Sequence, residues 1–303
     1  MTAPAPQLLA AGAATATAAD VAASLAARPT LTLLQGGLAA SALVDRQASA
    51  RDRIAAGTLT LISRQWDTVL DPRDPEVIDT VSRGVLTLIQ GGQSATANVT
   101  AAYLRSVLTQ ITSRHVAYAA AGAAAGVVLQ ATLRGIQNPE QAYWRPFEQW
   151  RYLRSTGVPD DVAKERARRR LLIMADTDLT MAMREGARQT LEDVEEVTGY
   201  RRVIHPEESR GGTCGLCLAA SDRVYHRGDL LPIHARCCCE VMPRTRSHDP
   251  GHELNQDDLA RLYTAAGDST AGPDLKKVQV RDHGELGPVL TPAGQSIAPP
   301  QAA

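Results

Sequence analysis

Apolar residues recur at helical spacing through the first two-thirds of the chain. Ile78, Val81, Val85 and Ile89 lie three or four positions apart, which sets them on one stripe of an α-helix. Asp74-Pro75-Glu76 heads that run with a capping carboxylate, a proline at the first helical position and an acid in the first turn. Gly91-Gly92 is expected to stop it, and a second helix is expected from Ser94 through Val99, Leu104 and Leu108. Asn138-Pro139 interrupts the pattern, and Tyr143, Trp144, Phe147 and Trp150 follow as an aromatic cluster. Gly157-Val158-Pro159 ends that element, with Asp160 and Asp161 placed to cap the next. Leu172, Ala175, Leu179, Met183 and Leu191 then share one face of a long helix running towards Thr198-Gly199, a stripe that reads as core.

The texture changes after Gly199. Tyr200–His205 (YRRVIH) reads as a short strand, followed by a polar loop and a cysteine-rich stretch. The expected organisation is a flexible leader over 1–30, a helical body over 31–199, a small module over 200–246, and a partly helical, then flexible, tail over 247–303. The fold class is mainly α: a multi-helix body with a small C-terminal β/loop zinc-knuckle module. Met1–Ala27 has no basic region and reads as a Thr/Ala/Pro leader rather than a secretory signal. His115–Leu133 lacks Asp, Glu, Lys and Arg and approaches the length of a membrane span. It is mostly Ala and Gly and contains His115 and Gln130, so a close-packed helix is the expectation and no membrane contact is foreseen.

Charge changes the picture in one respect. The 303 residues carry 32 basic and 33 acidic side chains, a formal charge of −1, which excludes coating of nucleic acid by bulk charge. Aromatic residues are 4% of the chain, with Phe147 the only phenylalanine, so Ala, Leu, Val and Ile must build most of the core. One local exception is the run KERARRR, with Lys164, Arg166, Arg168, Arg169 and Arg170 on a helix. Its ordinary reading is a solvated helix face. Its alternative is contact with DNA phosphates, which would be sequence-independent and weaken steeply with salt.

The five cysteines all fall between Cys214 and Cys239. A disulfide framework would spread them through a small secreted chain, whereas an odd number in one stretch points to thiolate ligands in a reducing compartment. Cys214-x2-Cys217 is a metal-knuckle spacing, and Gly211, Gly212 and Gly215 permit the tight turn it needs. His234-x2-Cys237-x-Cys239 follows as a second half-site. Two such pairs can close a tetrahedral structural Zn2+ site, with Zn–S near ~2.3 Å and Zn–N near ~2.0 Å. Cys214, Cys217 and His234 are three ligands; the fourth is Cys237 or Cys239. If Cys237–Val241 is extended, those two face one way and Cys238 the other, as a bystander. His226 reads as an exposed loop residue. A catalytic zinc of the deaminase kind needs a Glu two residues beyond its first ligand, ahead of a Pro-Cys-x-x-Cys segment, and that arrangement is missing. A redox Cys-x-x-Cys would open a helix after a strand, which the glycine-rich loop does not suggest. Reduced thiols without metal are the remaining alternative.

A strand, Cys-x2-Cys, a Tyr/Gly turn and Pro-x-His-x2-Cys-x-Cys ending in Pro resemble the phage Mu F-like minor head protein family. The matching positions are Cys214, Cys217, Tyr225, Gly228, Pro232, His234, Cys237, Cys239 and Pro243. The likeness covers Arg166–Arg246, with a looser similarity in the helical body to minor head proteins of actinobacterial phages. Two features depart from the family pattern: Cys238 stands where Arg is usual, and Gly212-Thr213 stands where an acid usually precedes the first cysteine.

The resemblance implies a virion component at the capsid interior or portal vertex, passing through the host cytoplasm during assembly. It implies the portal protein and major capsid protein as partners and a role in head assembly and DNA packaging or ejection. The rival expectation is a capsid maturation protease acting on prohead proteins. Neither His115 nor His205, near Ser209, stands in a recognisable nucleophile motif, so no catalytic residue is nominated.

Overall fold

The computed structural model describes residues 36–112, 138–192, 194–203, 220–226, 239–275, 277–282 and 288–292. The leader over 1–30 and the Ala-rich segment His115–Leu133 lie outside them. Three long helices dominate: α1 (Gly36–Asp67), α2 (Pro75–Thr112) and, further on, α5 (Asp160–Glu192), with the short α3 (Pro139–Ala142) and α4 (Arg145–Ser155) between the last two. Asp74 caps α2, its Oδ1 accepting from the Glu76 backbone N–H at 2.9 Å. Asn138 caps α3 through Glu140 N–H at 3.2 Å.

The expected break at Gly91-Gly92 does not occur, and α2 continues unbroken to Thr112. The reason is tertiary. A Cβ on Gly92 would stand 2.7 Å from Thr58 Oγ1 and 2.8 Å from Leu179 Cδ2, so the glycine lets α1 and α5 approach rather than ending the helix. Gly186 repeats the device, with Ala97 Cα 3.0 Å from where its Cβ would be. Because Gly92 meets Leu179 and Ala97 meets Gly186, α2 and α5 run the same way. Gln65 contacts Val81 O and Gln47 contacts Thr100, so α1 runs opposite to α2.

Two cores result. In the first, Trp66 of α1 lies with its ring centre 4.8 Å from Phe147 and 5.8 Å from Trp150, joining Tyr143, Phe147 and Trp150 in the core while Trp144 of the expected cluster is exposed. Asp160 turns back to α4 rather than only opening α5: its Oδ1 accepts from Trp150 Nε1 at 2.9 Å and pairs with Arg154. The second core gathers Val44, Tyr103, Leu104, Leu108 and Leu191 from the helices with Tyr200, Val203, Val241 and Met242. It therefore draws on both sides of residue 199.

The last four residues of that set belong to an antiparallel pair, β1 (Gly199–Val203) and β2 (Glu240–Arg244), in which Gly199 faces Arg244 and Val203 faces Glu240. After β2 comes α6 (Pro250–Ala265), capped by Asp249, whose carboxylate also accepts two bonds from Arg201 Nε at 2.8 and 2.9 Å. The turn α7 (Gly272–Leu275) leads to a second antiparallel pair, β3 (Val278–Asp282) with β4 (Pro288–Pro292), so part of the expected flexible tail is a hairpin. Helix accounts for 74% of the described residues, in seven helices. Among the described residues no helix is long and apolar enough to cross a membrane.

Candidate metal centre

Of the proposed ligands, Cys214, Cys217, His234 and Cys237 lie outside the described residues, as does Cys238. Cys239 is described, immediately before β2, and is buried at 2% exposure. Arg184 of α5 holds it: one Nη2 donates to the Cys239 carbonyl and to its Sγ, the latter at 3.0 Å. Arg202 of β1 adds a donor to the same sulfur at 3.6 Å. Both arginines are themselves buried. Arg202 is fixed in turn by Asn255 of α6, whose Nδ2 donates to the Arg202 carbonyl at 2.8 Å.

The next residue is also engaged by the helical body. Glu240 is fully buried, and its Oε1 accepts from Arg51 Nη1 of α1. Among the described residues Glu240 Oε2 is buried without a hydrogen-bond partner, which makes that carboxylate dependent on Arg51. One position further on, Tyr103 of α2 donates from its hydroxyl to the Val241 carbonyl at 3.1 Å. Burial, and then the nearby Glu240 carboxylate, push the Tyr103 hydroxyl well above the ordinary tyrosine range, so it stays a neutral donor. Three successive residues of β2 and its approach are thus each gripped by a different long helix.

The other edge of β1 is occupied as well. Tyr225 exchanges backbone bonds with Tyr200 at 3.0 and 2.8 Å, and the two rings stack at 5.3 Å. The Arg202 guanidinium lies 4.9 Å from the Tyr225 ring centre. His226 beside it is exposed. Since Val203 and Glu240 are register partners, the chain between them leaves and rejoins the sheet at one end.

A zinc ion on Cys239 would sit ~2.3 Å from a sulfur already met by two guanidinium donors, and a dication there would be repelled by both. The sulfur faces the helical body. Among the described residues no three His, Cys, Asp or Glu side chains gather closely enough to hold a metal ion.

The basic run divides. Lys164 Nζ donates to the carbonyls of Val69 at 2.7 Å and Asp67 at 3.4 Å and lies 5.4 Å from the Trp150 ring centre. Arg168 donates to Ser63 Oγ and to Glu165, each at 2.8 Å. Those two cations fasten α5 to the end of α1, while Arg166, Arg169 and Arg170 are exposed.

Sequence reasoning missed Arg51, Arg184, Arg202 and Glu240. Arg184 is followed directly by Glu185 on a helix rich in charge, and Arg202 and Glu240 flank buried strand positions, but polar residues in such places ordinarily read as solvent-facing. Comparison of the chain with protein-family models, curated proteins and solved structures finds no match to any of them.

Proposed function

We propose that this chain is a phage minor head protein of the Mu F-like kind, associated with the portal, that supports head assembly and DNA packaging or ejection. The observation that carries the reading is the Cys/His order from Cys214 to Cys239, set between strand residues Val203 and Glu240 that are register partners. A segment that departs and returns at one end of a small sheet is suited to closure by a metal staple. In this reading Cys214, Cys217, His234 and Cys237 hold a structural Zn2+. Cys239, engaged by Arg184 and Arg202, ties the staple to the helices instead of binding the metal.

The role is assembly rather than catalysis. So short a loop-rich segment has little core of its own, so its metal-binding energy is folding energy. The partners are the portal protein and the major capsid protein, and the location is the virion interior or portal vertex. Metal analysis of the purified full chain is the direct test, with about one zinc per chain expected. Chelation is expected to expose the Cys/His segment to protease while the helical circular dichroism persists. Absence of any tetrahedral metal, or failure to co-purify with co-expressed portal protein, overturns the reading. Specific cleavage of the major capsid protein, lost on a single His or Ser substitution, would make the chain a maturation protease instead.

A further inference from the structure

The fold divides the basic run that opens α5. Lys164 and Arg168 turn to α1, Lys164 onto the Val69 carbonyl at 2.7 Å and Arg168 onto Ser63 Oγ at 2.8 Å. Arg166, Arg169 and Arg170 stand on the exposed side of the helix. They share an arc of about 100°, away from the buried stripe of Ala167, Leu171 and Ala175. Their i, i+3 and i+4 spacing makes Arg169 and Arg170 surface neighbours of Arg166, and the three fall within about 6 Å measured along the helix axis.

Among the described residues none of the three forms an ion pair or hydrogen bond. Glu165, the one acid between Lys164 and Ala175, is bonded to Arg168 at 2.8 Å. The next acid along the helix, Asp176, is half-buried and already engaged. The surplus extends to α4: residues 145–175 carry eight basic and four acidic side chains, in a chain whose total charge is −1. Like charges at this spacing repel one another, so the triad works against the helix unless an anion from outside meets it.

We propose that Arg166, Arg169 and Arg170 are a DNA-backbone contact, taking the phosphates of duplex DNA without regard to sequence. The inference rests on the reading of the chain as a head protein and names the surface that would meet packaged DNA. Charge density selects the partner. A duplex carries a phosphate charge every ~1.7 Å of its axis, so about 6 Å of it presents roughly three to four anions to the three guanidiniums. The planar fork of each arginine suits a phosphate. A protein partner is the poorer fit, because protein interfaces centre on buried aromatic or aliphatic anchors. The apolar neighbours here are only Val162, 38% exposed, and half-buried Ile173, about one turn to either side. Single strands are disfavoured too, since α5 has no aromatic residue on which unpaired bases could stack.

The test is a titration of the full chain against a labelled duplex of roughly 30 base pairs and arbitrary sequence, between about 50 and 200 mM salt. Three phosphate contacts would weaken binding about 40-fold over that range. R166Q/R169Q/R170Q is expected to abolish this salt-dependent part, with zinc content unchanged and the melting temperature the same or higher as the repulsion is relieved. R46Q/R53Q/R64Q removes the same charge from α1 and is expected to leave the salt slope intact. K164Q/R168Q is expected to lower the melting temperature and likewise keep the slope. No binding by the natural chain at the low-salt end, an α5 triple variant that keeps the natural slope, or an equal loss in the α1 variant would each overturn the proposal. So would strong sequence preference, or binding to poly-glutamate in place of DNA, which would make the partner an acidic protein. Zinc content and portal co-purification are measured separately, so failure here is distinguishable from failure of the head-protein reading.

Discussion

Arg184 donates to the sulfur of Cys239 at 3.0 Å across 55 residues of sequence, joining the C-terminal part of α5 to the residue immediately before β2. The contact places Cys239 in the helical interface and separates its role from that of Cys237. C239S is therefore expected to retain bound zinc and to melt at a lower temperature. C237S is expected to lose the metal. Metal content by mass spectrometry and a thermal melt on both variants decide the point; loss of zinc from C239S alone would reverse the assignment.

The Arg51–Glu240 pair should behave as a buried ion pair whose halves depend on each other. Removing either side leaves a buried charge behind, so R51M or E240L alone is expected to cost about 3–5 kcal/mol. R51M/E240L together should recover most of that loss, because both desolvated charges disappear. A double-mutant cycle in urea measures the coupling; additive losses would show that the two groups act independently.

Two glycines in long helices should respond in opposite directions to alanine. G92A forces a Cβ within 2.8 Å of both Thr58 and Leu179 and is expected to destabilise by about 1–3 kcal/mol. Gly57 has nothing within 4 Å of the same position, so G57A should stabilise by about 0.5–1 kcal/mol through helix propensity. Chemical denaturation of the pair reads both signs at once.

Stability should fall at alkaline pH. The Tyr103 hydroxyl is raised by burial and by Glu240, and the Tyr263 hydroxyl is pushed up to about 12 by burial and by its bond to Asp222 at 2.5 Å. A group whose folded-state value lies above its unfolded value stabilises fully below the unfolded value, near ~10 for tyrosine, and loses that contribution as pH rises towards the folded one. Urea midpoints should hold below about pH 10 and decline above it. Y103F should lower the midpoint at neutral pH, by about 1 kcal/mol of lost hydrogen bonding, and flatten the alkaline decline. An unchanged alkaline slope in Y103F would remove Tyr103 from the account.

Much of the helical body was legible in the chain. The cap at Asp74, the Val81–Ile89 stripe and the aromatic cluster around Phe147 all depend on local spacing, which a helix converts directly into a face. Gly91-Gly92 misled because a glycine pair marks a stop only when no neighbouring helix needs the space. Trp66 was overlooked because its partners Phe147 and Trp150 are distant in sequence. The hairpin of β3 and β4 was hidden by prolines and glycines that also suit a loose tail.

The sequence by itself determined that the chain is mainly helical, that its cysteines are confined to one stretch, and that a texture change falls near residue 199. These follow from periodicity, composition and position, which are properties of neighbours along the chain. Only the tertiary structure decided that Arg51, Arg184 and Arg202 turn inward, that Cys239 and Glu240 face them, and that Lys164 and Arg168 fasten two helices. A charged side chain carries no local mark of burial. Its environment is set by the groups that distant segments bring within hydrogen-bond reach, and those exist only once the helices and the small sheet have packed.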